Sequence, residues 1–152
     1  MVFRNITIAA IAYFAFASIC VFGGEAKIVK VLPHYLDKDG KHAVYPSLFE
    51  RDAYQYYLRK HPEKCYGIQF DVQWKAAKPQ GLKVRIEMRG SKDNAARVFT
   101  VEKPLEKETF FGHWMKLKVD EQQFRELGTL LAWRATLWDG DKLLSEQKSF
   151  LW

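Results

Sequence analysis

The stretch from Leu130 to Trp152, LLAWRATLWDGDKLLSEQKSFLW, sets the narrowest limit on the fold, because it reads as two strands folded back on each other around Asp139-Gly140-Asp141. Asp-Gly flanked by alternating apolar residues is a strong short-range hairpin signal. A three-residue loop with Gly140 at positive φ sets Trp138 opposite Lys142, Leu137 opposite Leu143 and Arg134 opposite Glu146, so that like pairs with like and acid with base. A two-residue Asp139-Gly140 loop would set Leu137 against Lys142 and Trp133 against Glu146, and the longer loop is therefore expected. Since side chains alternate along a strand, Leu131, Trp133, Ala135, Leu137, Leu143 and Leu151 are assigned to the core face, and Arg134, Thr136, Lys142, Glu146 and Lys148 to the other. Trp138, Leu144, Phe150 and Trp152 break the alternation, which implies cover over part of the second face. The terminal aromatics are expected to zip the last strand into the core.

Upstream the period of two is cleaner still. Tyr66, Ile68, Phe70, Val72 and Trp74 point one way, with Gln69, Asp71 and Gln73 the other; Leu82, Val84, Ile86 and Met88 repeat the pattern with Lys83, Arg85, Glu87 and Arg89 outside. Ala76 to Gly81, which contains Pro79, is a tight connection, and Gly90 to Ala95 is a turn. Arg97 to Glu102 is a poorer strand, followed by the polar loop KPLEKE. From His113 to Val119 the alternation returns, with Met115, Leu117 and Val119 inward and Lys116 and Lys118 outward. Asp120 caps and Gly128 ends a short helical turn that crosses between sheets. Lys27 to Pro33 (KIVKVLP) is a first or edge strand that Pro33 is expected to end.

One stretch departs from this pattern. Ser47 followed by Glu50 is a capping box, and His61-Pro62 closes the helix it opens. Phe49, Ala53, Tyr56 and Tyr57 fall on one side of that helix, with Tyr54 and Leu58 beside them. The stripe is expected to pack across an open face or end of the sheet, over Trp138, Phe150 and Trp152; the functional alternative is an aromatic binding surface. Asp37-Lys38-Asp39-Gly40 begins like a calcium loop, but His42 stands where the loop needs Gly and Leu48 where it needs Glu, so it is a turn.

About seven strands at these spacings, with one helix inserted after the first, make a mainly β chain folded as an antiparallel sandwich. FDVQW, LKVRIEMRG and the terminal LAWRATLWDGDKLLSEQKSFLW resemble strands of bacterial exported immunoglobulin-like or fibronectin type III-like domains, over roughly residues 66 to 152. The resemblance implies an immunoglobulin-like β-sandwich that binds proteins or acts as a spacer. It carries no inter-sheet disulfide, and the helix near 47 to 60 is an addition.

The N-terminus bears on location. After Arg4 the chain runs through ITIAAIAYFAFASICVFGG without a charge, and Gly24 and Ala26 are small residues suited to cleavage before Lys27. Residues 1–26 are therefore read as a secretory signal, with an uncleaved anchor as the rival; either way the remainder, a single domain over 27–152, is periplasmic or extracellular. Arg4 and Glu25 leave together, so the net charge of +6 is kept. Export argues against nucleic acid. Cys65 is the one cysteine left, which excludes an internal disulfide, and its reading is a small semi-buried residue at a strand start rather than a nucleophile served by His61.

His34, His42, His61 and His113 show no helical metal spacing, and nucleophile elbows, phosphate loops and the haem motif are lacking. Neither an enzyme nor a cofactor is expected, although Asp37 with Asp39, or Glu50 with Asp52, would serve a hydrolase if a third acid met them. The alternation of charge in the last strand rules out the lipid-facing band of an outer-membrane barrel. The candidate binding surface comprises the outward Lys83, Arg85 and Arg89, extended by Lys116 and Lys118, with Trp114 on the same parity, and the helix residues Tyr54 and Tyr57. The expected partner is another envelope protein; a carbohydrate, an anionic glycan or a membrane surface is the alternative. Against the basic ladder stands its neutralisation by Glu87 and Asp71.

Overall fold

The computed structural model describes residues 26–78, 80–105 and 113–152 of the 152-residue chain. In order they form β1 (Lys27–Leu36), α1 (Leu48–Lys60), a 3-10 turn (Pro62–Lys64), β2 (Gly67–Lys75), β3 (Leu82–Lys92), β4 (Ala95–Pro104), β5 (Trp114–Val119), α2 (Glu121–Leu127), β6 (Thr129–Asp139) and β7 (Lys142–Lys148). The expected leader, but for Ala26, and most of the polar loop after Pro104 lie outside the described residues. Among the described residues no helix is long and apolar enough to cross a membrane.

The alternating strands become two antiparallel sheets, ordered β1-β2-β5 and β4-β3-β6-β7. This is an antiparallel β-sandwich with one helix inserted after the first strand. Relative to the constant-type arrangement, in which the fourth strand joins the first, second and fifth, here it lies beside the third. Between the sheets, Ile68, Phe70 and Val72 of β2 and Met115 and Leu117 of β5 meet Val84, Ile86 and Met88 of β3 and Ala135 and Leu137 of β6, all buried. Trp133 stands edge-on to Phe70 with ring centroids 6.1 Å apart. Each large side chain placed there contributes about 1.5–3 kcal/mol relative to exposure.

The terminal hairpin forms, but in another register. Its loop is Gly140-Asp141, with Asp139 opposite Lys142, Trp138 opposite Leu143 and Gly140 at φ 54. Glycine at the first central position of a two-residue loop suits the type II′ turn, whose twist matches the strands. A bulge between Leu137 and Trp138 then sets Leu137 opposite Ser145 and Ala135 opposite Gln147. An extra residue on one strand reverses which of its side chains face inward beyond that point. Leu143 is exposed as a result, and Ser145 and Gln147 take the inward positions. There they lace β7 to the neighbouring edge of β1: the Ile28 amide donates to Ser145 Oγ at 3.1 Å, and Gln147 Nε2 donates to the Val29 carbonyl at 2.9 Å.

Leu131 and Leu151 are likewise exposed rather than in the core, and Phe150 is 100% exposed. The strand ends at Lys148, with one further bond from the Ser149 amide to the Trp133 carbonyl at 2.9 Å, and the terminal aromatics beyond it do not zip into the interior; Trp152 instead lies on the outer face. Pro33 does not end β1, which continues to Leu36 with Pro33 opposite Phe70. An edge strand tolerates a residue without an N–H because alternate amides face away from the neighbour.

Both N-caps form at the expected residues. Ser47 Oγ accepts from the Glu50 amide at 3.2 Å, and Asp120 Oδ1 accepts from the Gln123 amide at 2.8 Å. The α2 helix lies so close to β3 that a Cβ on Gly90 would meet Leu127 at 2.5 Å, and one on Gly128, at φ 72, would collide with the Ser91 carbonyl.

Candidate functional site

The outward cations of β3 belong to the second sheet, where antiparallel pairing brings each of them a partner. Glu102 on β4 accepts from Arg85, a short contact, and pairs with Lys83 at 3.2 Å; together they hold its carboxyl below the usual range. Arg85 also lies over the Trp138 ring at 4.9 Å, and Arg89 over Trp152 at 3.9 Å. Arg134 pairs with Glu87 at 2.6 Å and reaches Glu146 at 3.5 Å. On this face Lys83, Arg85 and Arg134 are thus paired with acids, and Arg85 and Arg89 lie against Trp138 and Trp152, two of the aromatics that break the alternation. Lys116 and Lys118 do not extend the ladder, because β5 joins the other sheet.

On that first sheet, Trp114 (42% exposed), Lys116 and Lys118 of β5 stand beside Gln73, Asp71 and Gln69 of β2. Among the described residues neither lysine has an ion-pair partner. Gln69 is buried, and its Nε2 donates to Asp71 Oδ1 at 2.6 Å. Asp71 Oδ2 in turn lies 3.6 Å from Nε2 of His34, whose ring stacks on His42 at 4.8 Å. Burial pushes the His34 pKa below 6.5, against Asp71 and with the help of His42 and Arg51. Seven residues lie between the two histidines in sequence, and only the turn at Asp37 brings them together. That turn is held by Asp37 Oδ1, which accepts from the Asp39 and Lys41 amides, and by the Tyr54 hydroxyl, which donates to Asp37 Oδ2 at 2.7 Å.

Tyr54 is therefore a structural group, its pKa pushed up to about 12 by burial and by the hydrogen bond to Asp37. Tyr57 stacks between Tyr54 at 6.2 Å and His61 at 4.5 Å, with its edge exposed. The aromatic stripe of α1 does not cover a sheet face. Phe49 is 83% exposed, Leu48 66% and Tyr56 58%, while Leu58 and Gln55 are buried. The reason lies in β1, whose free edge carries unpaired peptide groups. Gln55 supplies what they need: its Oε1 accepts from the Tyr35 amide at 2.7 Å, and its Nε2 donates to the Tyr35 and His42 carbonyls at 2.9 and 2.8 Å. Satisfying that edge turns the opposite, aromatic side of the helix to solvent.

Cys65 is buried, and its thiol donates to the Leu58 carbonyl at 3.0 Å. Burial, with Glu63 nearby, raises its pKa to about 11. The His61 ring faces Glu63 and Tyr57 and offers Cys65 only its backbone oxygen, so no thiol–imidazole pair forms. Among the described residues no three His, Cys, Asp or Glu side chains are disposed to hold a metal. Cys65 does line one feature invisible in the sequence, a cleft of about 700 Å³ where α1, α2 and the ends of β1, β3 and β6 converge. Against known proteins, no family model, no curated protein and no solved structure matches this chain.

Proposed function

We propose that the protein is an exported, non-enzymatic binding domain of the cell envelope that docks onto another protein through the outward face of α1. The observation that carries this reading is the exposure of Phe49 and Tyr56 on a helix already anchored through Gln55. Exposed apolar surface of this kind marks interaction sites, and aromatic residues dominate their energetics. Asp52 falls between Phe49 and Tyr56 at helical spacing and is itself exposed. With Arg51 3.8 Å from Asp52 and Lys60 over the Tyr56 ring at 5.6 Å, the apolar patch carries a rim of both signs. Such a rim favours a protein partner with an apolar groove and a complementary polar rim that includes a cation for Asp52.

A photoreactive phenylalanine analogue at position 49, introduced in the living cell, is expected to cross-link one protein in fixed stoichiometry. Asp52→Lys is expected to abolish that product without changing the circular dichroism spectrum. Cross-linking scattered over many proteins, or surviving Asp52→Lys, sinks the reading.

A second reading rests on Trp114, exposed on a flat sheet face beside Lys116 and Lys118. Aromatic rings flanked by cations suit an anionic glycan. Retention on insoluble anionic glycan that Trp114→Ala removes would select it over the first.

A further inference from the structure

The cleft at the α1–α2 end of the sandwich combines an apolar floor with lining charges that are all cationic. Leu58, Cys65 and Phe124 are buried on it, and Tyr35, edge-on to Phe124 at 6.2 Å, continues it towards Leu130. Arg59, Lys92 and Arg125 also line it, and no acidic side chain does. Three elements supply these cations: Arg59 from α1, Lys92 from the end of β3 and Arg125 from α2. Arg125 is held in place by Glu121 at 2.7 Å and lies over the Tyr66 ring at 5.2 Å. Arg59 is tethered by its Nε, which donates to the Gln55 carbonyl at 3.3 Å. Among the described residues Lys92 has no ion-pair partner. The wall formed by α2 is seated on β3 through Gly90 and Gly128, where a methyl group would not fit, so it does not collapse into the cleft.

A concave site of this size, apolar below and cationic above, matches small ligands with an apolar body and an anionic head. Positive charge concentrated at a low-dielectric opening attracts such a head, and the buried floor rewards the tail. We propose that this cleft binds a single-chain amphipathic anion, with the apolar chain along Leu58, Phe124 and Leu130 and the head between Arg59, Lys92 and Arg125. The head is a carboxylate or a phosphate. The site is separate from the α1 face assigned to a protein partner, which lies on the other side of the helix from Leu58.

The test uses the protein purified as its host cell delivers it, titrated below micelle formation with laurate, dodecyl phosphate and the neutral dodecanol, and read by calorimetry and amide chemical shifts. Saturable one-to-one binding of laurate or dodecyl phosphate is expected, with shifts at Ser91, Thr129 and Leu130; the tighter of the two identifies the head. Lys92→Gln and Arg59→Gln, exposed or rim changes that leave the core intact, are each expected to weaken binding about tenfold, the usual worth of a charge-assisted contact. Equal binding of dodecanol, shifts confined to Phe49 and Tyr56, or affinity unmoved by both variants overturns the proposal. So does capture of a peptide with an apolar C-terminus by a cleft that ignores both lipids.

Discussion

Single side chains decide three properties that are open to measurement. Gln55 is a polar residue on an aromatic helix, and its amide satisfies both peptide groups of Tyr35. Gln55→Ala strands a partly buried N–H and C=O, which costs about 1–3 kcal/mol; chemical denaturation should register the loss, and amide exchange in α1 should quicken. Cys65, with its thiol raised to about 11 and buried, is expected to resist alkylation at neutral pH until the protein unfolds, as timed iodoacetamide labelling would show.

His34 gives stability a pH dependence of definite sign. Its folded pKa lies below the unfolded 6.5, chiefly through burial, so the unfolded chain takes up the proton first as the solution is acidified. Its contribution is present above pH 6.5 and is lost as pH falls through the lowered folded value. Asp71, His42, Arg51 and Asp52 share that environment. Denaturation midpoints of the wild type should therefore fall below pH 6.5, and His34→Gln should flatten that part of the profile.

At the scale of elements, the bulge in the last hairpin and the seat of α2 matter most. Across the bulge Leu143 faces outward while Ser145 and Gln147 face inward, and those two join the sheets at the β1–β7 edge. Helix α2 rests on a glycine contact. Gly90→Ala drives a methyl group into Leu127, and because the nearest atom is a backbone oxygen, relief requires α2 to move. Overpacking of this kind costs about 1–3 kcal/mol. A lowered melting temperature is expected, with chemical-shift changes concentrated on α2 and the cleft; an unchanged melting curve would show that α2 is not seated as described.

For the molecule as a whole, stability and recognition are assigned to different aromatic residues. Phe70 is fully buried where the two sheets meet, and Phe70→Ala is expected to cost about 3–5 kcal/mol. Phe49 is mostly exposed, and Phe49→Ala should leave unfolding within about 0.5 kcal/mol of wild type. Urea titration of the two variants checks the contrast directly. A large loss at Phe49 would mean that the α1 face supports the fold rather than a partner.

The sequence by itself determined the class of fold, because a period of two in apolar side chains is a local property of the backbone pleat that any strand of β2 or β3 must display. Ser47 with Glu50 and Asp120 with Gly128 likewise marked helix ends, since a cap bonds within its own first or last turn. Only the tertiary structure decided the register of the last hairpin, the outward turn of the α1 aromatics, the choice of Glu102 as the partner of Lys83 and Arg85, the meeting of His34, His42 and Asp71, and the cleft. Each of these depends on which strand lies next to which: the free edge of β1 rather than any pattern in α1 orients that helix, and the cleft exists only where five elements distant in sequence converge. Pairing partners are chosen by the packing of the whole chain, and no local periodicity records them.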